Sequence, residues 1–328
     1  MEINRRALYN SLRMNWVLDP TLKVESWQVE DYRSQPIDAL FEGLEDKGLH
    51  LDKSSFKAFA ETVDTPEDLT DALLADSGAD IKTQDKVYLL VFELWRRLLP
   101  EKPSLSLFCD EIDYQIHLFD RGQVQKAEAI EDALANLQMI LDENVDNGAD
   151  SDEVFECIES GCANDVESFL HDFIGDQIDN KNDSYAIELI DGFGNYARDV
   201  RWFDFLRARL HSNTGDVEEA DHMIKLLIED KTENPDLELN LEMLSYLVSN
   251  GDKKTFERLA KDTVDFLQVE EDFQVLISIC AEFYLRMDME SAEKALQEIL
   301  KNRENLDIEK AFNHRDPQIA EFLKIISK

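Results

Sequence analysis

The stretch LRARLHSNTGDVEEADHMIKLLIED, at residues 206–230, holds two amphipathic helix-like segments separated by a Gly-Asp turn signal. Similar turn signals recur every 36 residues, at Gly215-Asp216, Gly251-Asp252 and Met287-Asp288. A fixed period of about 20 to 50 residues is typical of proteins in which helical hairpins stack into an array. Such arrays generally present a surface to another protein chain, so the period predicts an architecture and a class of function.

Apolar side chains repeat with helical spacing on both sides of these turns. Each segment gathers them on one face, and that face needs a neighbouring helix to cover it. The predicted faces are Val217, Ala220, Ile224, Leu227 and Ile228; Phe256, Leu259, Ala260, Val264 and Leu267; and Phe273, Leu276, Cys280, Phe283 and Met287. We therefore expect stacked hairpins rather than isolated helices.

The composition supports an all-α fold, because glycine (11) and proline (7) are scarce in a chain of 328 residues. We predict a helical N-terminal region at residues 1–103, followed by an α-solenoid-like stack of antiparallel helix hairpins at residues 104–328. A last helix, starting at Asp316-Pro317, would cap the stack. Residues 182–198 do not fit the repeat register, and an extra or irregular helix is expected there.

Within the N-terminal region, residues 87–99 (VYLLVFELWRRLL) form the most apolar segment of the chain. A helix that is apolar almost all round is expected to be buried, and Pro100 is expected to end it. Thr65 and Pro66 together form a good helix start, because threonine can cap the first turn and proline fits there.

The net charge of −38 is carried entirely by residues 36–328, since residues 1–35 hold five basic and five acidic side chains. Such a surface repels nucleic acid and anionic lipid and attracts basic partners. Two other interpretations of this charge stay open: it serves solubility, as in a salt-tolerant host, or it mimics nucleic acid. We expect a basic protein or peptide partner, no nucleic acid and no membrane. A cytoplasmic location is expected, because the sequence has neither a long apolar run nor a secretory signal.

The segment at residues 206–230 resembles a tetratricopeptide repeat, a pair of antiparallel helices with Gly-Asp or Gly-Asn at the turn. That family has a small residue five positions after the turn glycine, which lets the helices pack closely. Ala220, Ala292 and Ala127 occupy this position here, and Ala208 matches the small residue of the first helix. Phe256 departs from the pattern in the middle repeat. The match is firm over residues 200–302 and weaker over residues 105–180.

By this resemblance, the first helix of each hairpin would line a groove that holds a partner's peptide, and the protein would be a non-catalytic adaptor, scaffold or chaperone-like binder. The groove-facing residues would be Trp202, Phe205, Arg209, Asn213, Ser245, Ser249, Gln274 and Tyr284. Arg209 is the single cation among them, which favours a basic or mixed peptide over an acidic tail. The aromatic residues of this set could instead belong to the ordinary core between helices.

Residues 142–153 form the best candidate for a metal site, because their oxygen-bearing side chains imitate the spacing of a calcium loop. The candidate ligands are Asp142, Asn144, Asp146, Asp150 and Glu153. The glycine required at the sixth position is displaced by one, so a solvated acidic linker is the alternative. A calcium- or ligand-responsive acidic protein is accordingly an alternative function.

Three further motifs predict no chemistry of their own. Gly192 and Gly194 match part of a dinucleotide-binding glycine pattern, but no alternation of strands and helices surrounds them. Glu219 and His222 form one Glu-x-x-His, whereas a di-iron bundle uses two. The four cysteines have neither metal-ligand spacing nor the pattern of a disulfide framework. We expect no cofactor and no enzymatic activity.

Overall fold

This computed structural model describes residues 4–123, 127–230 and 236–327, without the side chains of Ala127 and Asp152. The chain forms helices joined by turns and loops in all three ranges. Within these ranges the single β pairing is an isolated antiparallel bridge between Val269 and Ala311. The predicted all-α fold is therefore confirmed. The chain divides into two units: unit 1 comprises Met1–Asp172 with Asn195–Arg198, and unit 2 comprises Phe173–Gly194 with Asp199–Lys328.

Seventeen α-helices occupy the described residues. The first eight are α1 (Arg5–Leu18), α2 (Ile37–Glu45), α3 (Lys53–Ala60), α4 (Pro66–Leu74), α5 (Ile81–Leu98), α6 (Leu105–Asp120), α7 (Ala127–Asp146) and α8 (Ser151–Glu159). The others are α9 (Val166–Asp179), α10 (Asp183–Phe193), α11 (Val200–Thr214), α12 (Val217–Glu229), α13 (Leu237–Asn250), α14 (Lys253–Thr263), α15 (Glu270–Arg286), α16 (Glu290–Arg303) and α17 (Pro317–Ile325).

Helix α5 is buried in the apolar core formed by the N-terminal helices of unit 1, as its apolar run predicts. Every side chain from Val87 to Trp95 is buried, and α2 and α4 pack against this helix. Glu93 is buried within the run and binds Arg96 and Arg97 on the next turn. Arg97 also donates to the backbone carbonyls of residues 32, 33 and 35, which fastens that loop to α5. The predicted cap is confirmed, since Thr65 Oγ1 accepts from the Asp68 amide of α4.

Unit 1 also contains α1, α6, α7 and α8, of which the last three lie within the predicted repeat region at residues 104–328. Helix α1 packs against α6, and α6 packs against α7 and α8. Asp113 on α6 accepts hydrogen bonds from the backbone amides of Ala163 and Asn164, which lie just before α9. Residues 124–126 lie outside the described residues, as does the side chain of Ala127, a predicted small residue of this region.

Unit 2 consists of helical hairpins, in which α11 packs on α12, α13 on α14, and α15 on α16. The aspartate of two turn signals is the N-cap of the second helix: Asp216 accepts from the Glu219 amide, and Asp252 accepts from the amides that follow it. Gly215 has a φ of +92°, the left-handed conformation that glycine adopts without strain. The 36-residue period in the sequence therefore corresponds to the turns of successive hairpins.

Small residues permit the close packing of these hairpins, as expected. Ala208, Ala220 and Ala292 are all buried. The expected extra helix between residues 182 and 198 is α10, which packs on α11. The last helix, α17, packs on α16 and begins with Pro317 after the capping Asp316.

Candidate binding surface

Helices α13 and α15 are neighbours in unit 2, and each leaves one face uncovered. The exposed side chains follow one another at intervals of four and three residues, which is the spacing of a single helical face. They are Glu238, Glu242, Ser245 and Ser249 on α13, and Glu271, Val275, Ser278, Glu282 and Leu285 on α15. We call these nine residues the exposed stripe.

The opposite faces of both helices are buried in one apolar core, which includes Met243 and Leu247 of α13 and Phe273 and Leu276 of α15. Burial of each large apolar side chain contributes about 1.5–3 kcal/mol, so these helices are held in a fixed relation. Arg286 adds a polar link, because its guanidinium donates to the carbonyls of Ser249 (2.8 Å) and Gly251 (2.6 Å) at the end of α13. The exposed stripe therefore lies on a rigid platform.

The stripe combines negative charge with apolar surface. Among the described residues, no lysine or arginine lies within ion-pair distance of the carboxylates of Glu242, Glu271 and Glu282. Val275 is 39% exposed and Leu285 is 61% exposed, so two apolar side chains lie on the same helical face as Glu271 and Glu282. A ligand that complements this surface carries positive charge beside apolar groups.

The predicted groove residues on α11 bind other parts of unit 2. Trp202 is half-buried, and its indole nitrogen donates to Asp236, the cap of α13, at 2.7 Å. Arg209 donates to Asp179 at 2.8 Å, and the Asn213 amide donates to the Ile178 carbonyl at 2.8 Å. Arg209 and Asn213 thus fasten α11 to the end of α9. These side chains hold helices together in the structure.

The exposure predicted for Phe205 and Tyr284 is wrong, because both side chains are buried in the core. The Phe205 ring packs edge-on against Tyr246, and the Tyr284 hydroxyl donates to Glu257 at 2.9 Å. Burial is the largest cause of the raised pKa of Tyr284, and the hydrogen bond to Glu257 raises this pKa further. The alternative interpretation, that the aromatic residues belong to the core, holds for these two.

Gln274 is half-buried, and its amide donates to Glu270 and to the Arg303 carbonyl. Ser245 and Ser249 are the two predicted residues that lie on the exposed stripe. The structure therefore brings together Ser245 and Ser249 but places the other predicted residues in helix-to-helix contacts.

The glutamates of the stripe were missed because the predicted register came from a family pattern rather than from the polar residues themselves. Both helices carry a signal that could have identified them. Glu or Ser recurs at intervals of four and three residues along α13, and Glu271, Ser278 and Glu282 on α15 are seven and four residues apart, which keeps them on one helical face. On an amphipathic helix, that spacing marks the face turned away from the core.

The predicted calcium loop is wrong in its geometry. Asp142, Asn144 and Asp146 belong to α7, which continues to Asp146, and Glu153 belongs to α8. Side chains two residues apart on an α-helix point in very different directions, so these ligands do not converge on one ion. Asp142 instead accepts a hydrogen bond from the Tyr196 hydroxyl. The turn itself spans only residues 147–150, and no group of metal-ligating side chains is found among the described residues.

The remaining motifs are parts of helices or their ends. The residues before Gly192 belong to α10, so no strand precedes the glycine pair as a nucleotide site would require. Glu219 and His222 are exposed on α12. All four cysteines are free; Cys109 and Cys280 are buried, Cys162 is half-buried and Cys157 is exposed.

Comparisons with protein-family models, with curated proteins and with solved structures found no match to this chain. The kind of helical repeat therefore stays a prediction. None of the described helices combines the length and apolar character needed to cross a bilayer.

Proposed function

We propose that unit 2 is a non-catalytic interaction module of the tetratricopeptide type, and that it binds a basic, amphipathic segment of a partner protein on the exposed stripe. The observation that carries this proposal is that Glu242 of α13 and Glu271 and Glu282 of α15 have no lysine or arginine within ion-pair distance among the described residues, and that the exposed Val275 and Leu285 lie beside them on α15. Lysine or arginine side chains of the partner would pair with the carboxylates. Its apolar side chains would cover Val275 and Leu285.

The mechanism is docking onto a preformed surface. The core behind α13 and α15 fixes the stripe before the partner arrives, which limits the entropy lost on binding. The net charge of −38 steers a basic segment toward the protein and raises the association rate. Contact with the apolar side chains then supplies an affinity that salt does not screen.

A scaffold or adaptor role in the cytoplasm fits these features. Four free cysteines are compatible with a reducing compartment. The side chains of the stripe are open to water, whereas catalytic groups generally act in concave sites that exclude it. The proposed activity is therefore binding rather than a reaction.

The test uses a synthetic helical peptide with lysines on one face and leucines on the other, and a scrambled peptide of identical composition. A stripe variant, Glu242→Lys with Glu271→Lys and Glu282→Lys, is compared with a charge-matched control, Asp262→Lys with Glu298→Lys and Glu309→Lys. The three control positions are exposed residues of unit 2 outside the stripe. Fluorescence anisotropy measures the dissociation constants at low and high salt.

We expect the amphipathic peptide to bind more tightly than the scrambled one, and the stripe variant to lose about tenfold or more in affinity, or roughly 1.4 kcal/mol. The control variant should change far less. Equal affinity for both peptides, or equal losses of affinity in both variants, would contradict the proposal. Either result would show that the acidic surface attracts basic peptides nonspecifically. Tight binding of DNA-binding proteins in place of the peptide would favour nucleic-acid mimicry.

A further inference from the structure

Unit 1 contains a small pocket where α1 packs against α6. Its volume is about 100 Å³. The pocket is lined by Arg6, Asn10, Arg13, Met14 and Val17 of α1, by Arg33, and by Asp110, Asp113, Tyr114, His117 and Arg121. Four arginines against two aspartates make this lining positive, on a chain whose net charge is −38.

The two aspartates are already occupied. Asp110 accepts from Arg6 at 2.6 Å and from Arg33 at 2.7 Å. Burial raises the pKa of Asp110, but the attraction of the two guanidinium groups outweighs burial, and the pKa is lowered. Asp113 is held by Asn10 and by the backbone amides of residues 163 and 164. Asp110, together with Glu111, which also pairs with Arg33, therefore neutralises the inner arginines, and neither aspartate of the lining is paired with Arg13 or Arg121.

The outer cations are Arg13 and Arg121, and His117 lines the same pocket. Arg121 is exposed and has no carboxylate within ion-pair distance among the described residues. Arg13 has a single ion pair, at 3.1 Å to Asp31, and both side chains are more than 40% exposed. Such exposed pairs contribute about 0–1 kcal/mol, so Arg13 can exchange Asp31 for a ligand.

His117 responds to the local positive potential. Its pKa is lowered, first by burial and then by repulsion from Arg121 and Arg13, while Asp120 acts weakly in the opposite direction. The imidazole has no hydrogen-bond partner among the described residues. It is therefore available to donate to an anion that enters the pocket.

We propose that this pocket binds a small organic anion, whose carboxylate or phosphate group is held by Arg13, His117 and Arg121 and whose apolar part contacts Met14 and Val17. Arginine is well suited to this task because its planar guanidinium donates two parallel hydrogen bonds to either group. The surrounding negative charge repels polyanions such as nucleic acid and leaves small anions as the ligands of this site.

The test uses two probes, hexanoate and inorganic phosphate, and follows the His117 ring proton by NMR titration. The double variant Arg13→Gln with Arg121→Gln is compared with Arg258→Gln with Arg315→Gln, which removes two exposed arginines from unit 2. We expect saturable binding to the natural protein and to the control, and about a tenfold or larger loss of affinity in the pocket variant. Because Arg13 and Arg121 are exposed or half-buried, the unfolding midpoint of the variant should be unchanged.

Binding only of hexanoate, or only of phosphate, supports the site and identifies its anion class. The proposal is overturned if neither probe binds, or if the pocket variant and the control bind equally well. A second readout is the pH dependence with hexanoate, which stays ionised above about pH 5.5. An anion raises the pKa of His117 in the complex, so affinity should increase as the pH falls from 8 to about 6. The variant His117→Gln, followed by isothermal titration calorimetry because it has no ring proton at this position, should lose this dependence; if it retains the full dependence, the assigned role of His117 is wrong.

Discussion

Phe256 on α14 stacks face to face on Phe283 of α15, with ring centroids 3.8 Å apart and an interplanar angle of 4°. Both side chains are fully buried. Phe256 occupies the position at which a tetratricopeptide repeat has a small residue. The departure from the family pattern therefore has a structural consequence, because the large ring reaches out of its own hairpin and packs against the next one.

Replacing Phe256 by alanine should destabilise unit 2 strongly. The substitution removes a buried ring and leaves a cavity between two hairpins, and such changes cost about 3–5 kcal/mol. The free energy of unfolding, measured with urea, is expected to fall by this amount. The matched control is Leu285→Ala on the same α15, where the side chain is 61% exposed and the expected change is within about 0.5 kcal/mol. Similar losses in both variants would refute the importance of the stacked pair.

Arg303 and Glu270 form a buried ion pair, and we expect the loss of one partner to destabilise the protein more than the loss of both. The two side chains are 3% and 6% exposed, and the Arg303 Nε atom lies 2.7 Å from a Glu270 oxygen. Changing Arg303 alone to methionine leaves the buried Glu270 without its cation, with only the Gln274 amide still donating to it, and should cost about 3–5 kcal/mol. The double change Arg303→Met with Glu270→Met should recover part of this loss, because Asp316 and Gln318 still lose their hydrogen bonds from Arg303. A double variant as unstable as the single one would show that shape, rather than charge pairing, is decisive.

Asp110 should make the stability of unit 1 sensitive to acid. Its folded pKa is lowered by Arg6 and Arg33 against the opposing effect of burial, while the unfolded value is about 3.9. The stabilisation is therefore present above about pH 4 and is lost as the pH falls further. Thermal unfolding of the natural protein and of Asp110→Asn at several pH values measures this. At pH 7 the variant should have a lower unfolding midpoint than the natural protein, and below about pH 4 its midpoint should change less with pH. Parallel curves of midpoint against pH would contradict the assignment.

Calcium should not stabilise the chain specifically. Asp142, Asn144 and Asp146 lie along one helix and do not form a coordination shell. Millimolar calcium and magnesium at equal ionic strength should therefore shift the unfolding midpoint equally, through general screening of an acidic surface. A calcium shift that exceeds the magnesium shift, and that disappears in Asp142→Asn with Asp146→Asn, would restore the metal site.

Much of the fold could be predicted because its signals are local. The Gly215-Asp216 turn, the Thr65 cap and the apolar run of α5 each depend on residues a few positions apart, and each was confirmed. The candidate surface was harder to predict. A stripe of Glu and Ser shows which face of α13 is polar, but it does not show that α15 lies beside that helix.

Long-range partners explain the predictions that failed. Tyr284 is compatible with an exposed or a buried position until Glu257 and the core around it are in place. Residues 142–146 carry charges that are compatible with a loop or a helix, and the structure continues α7 through them.

The sequence by itself determined that this protein is all-α, where its hairpins turn, and that its surface is strongly acidic, because periodicity, caps and charge are properties of neighbouring residues. Only the tertiary structure decided that Phe256 stacks on Phe283, that Arg6 and Arg33 converge on Asp110, and which faces of α13 and α15 stay open. These relationships join residues that are distant in the chain. They depend on which helices pack together, and the buried apolar area of the whole unit decides that packing.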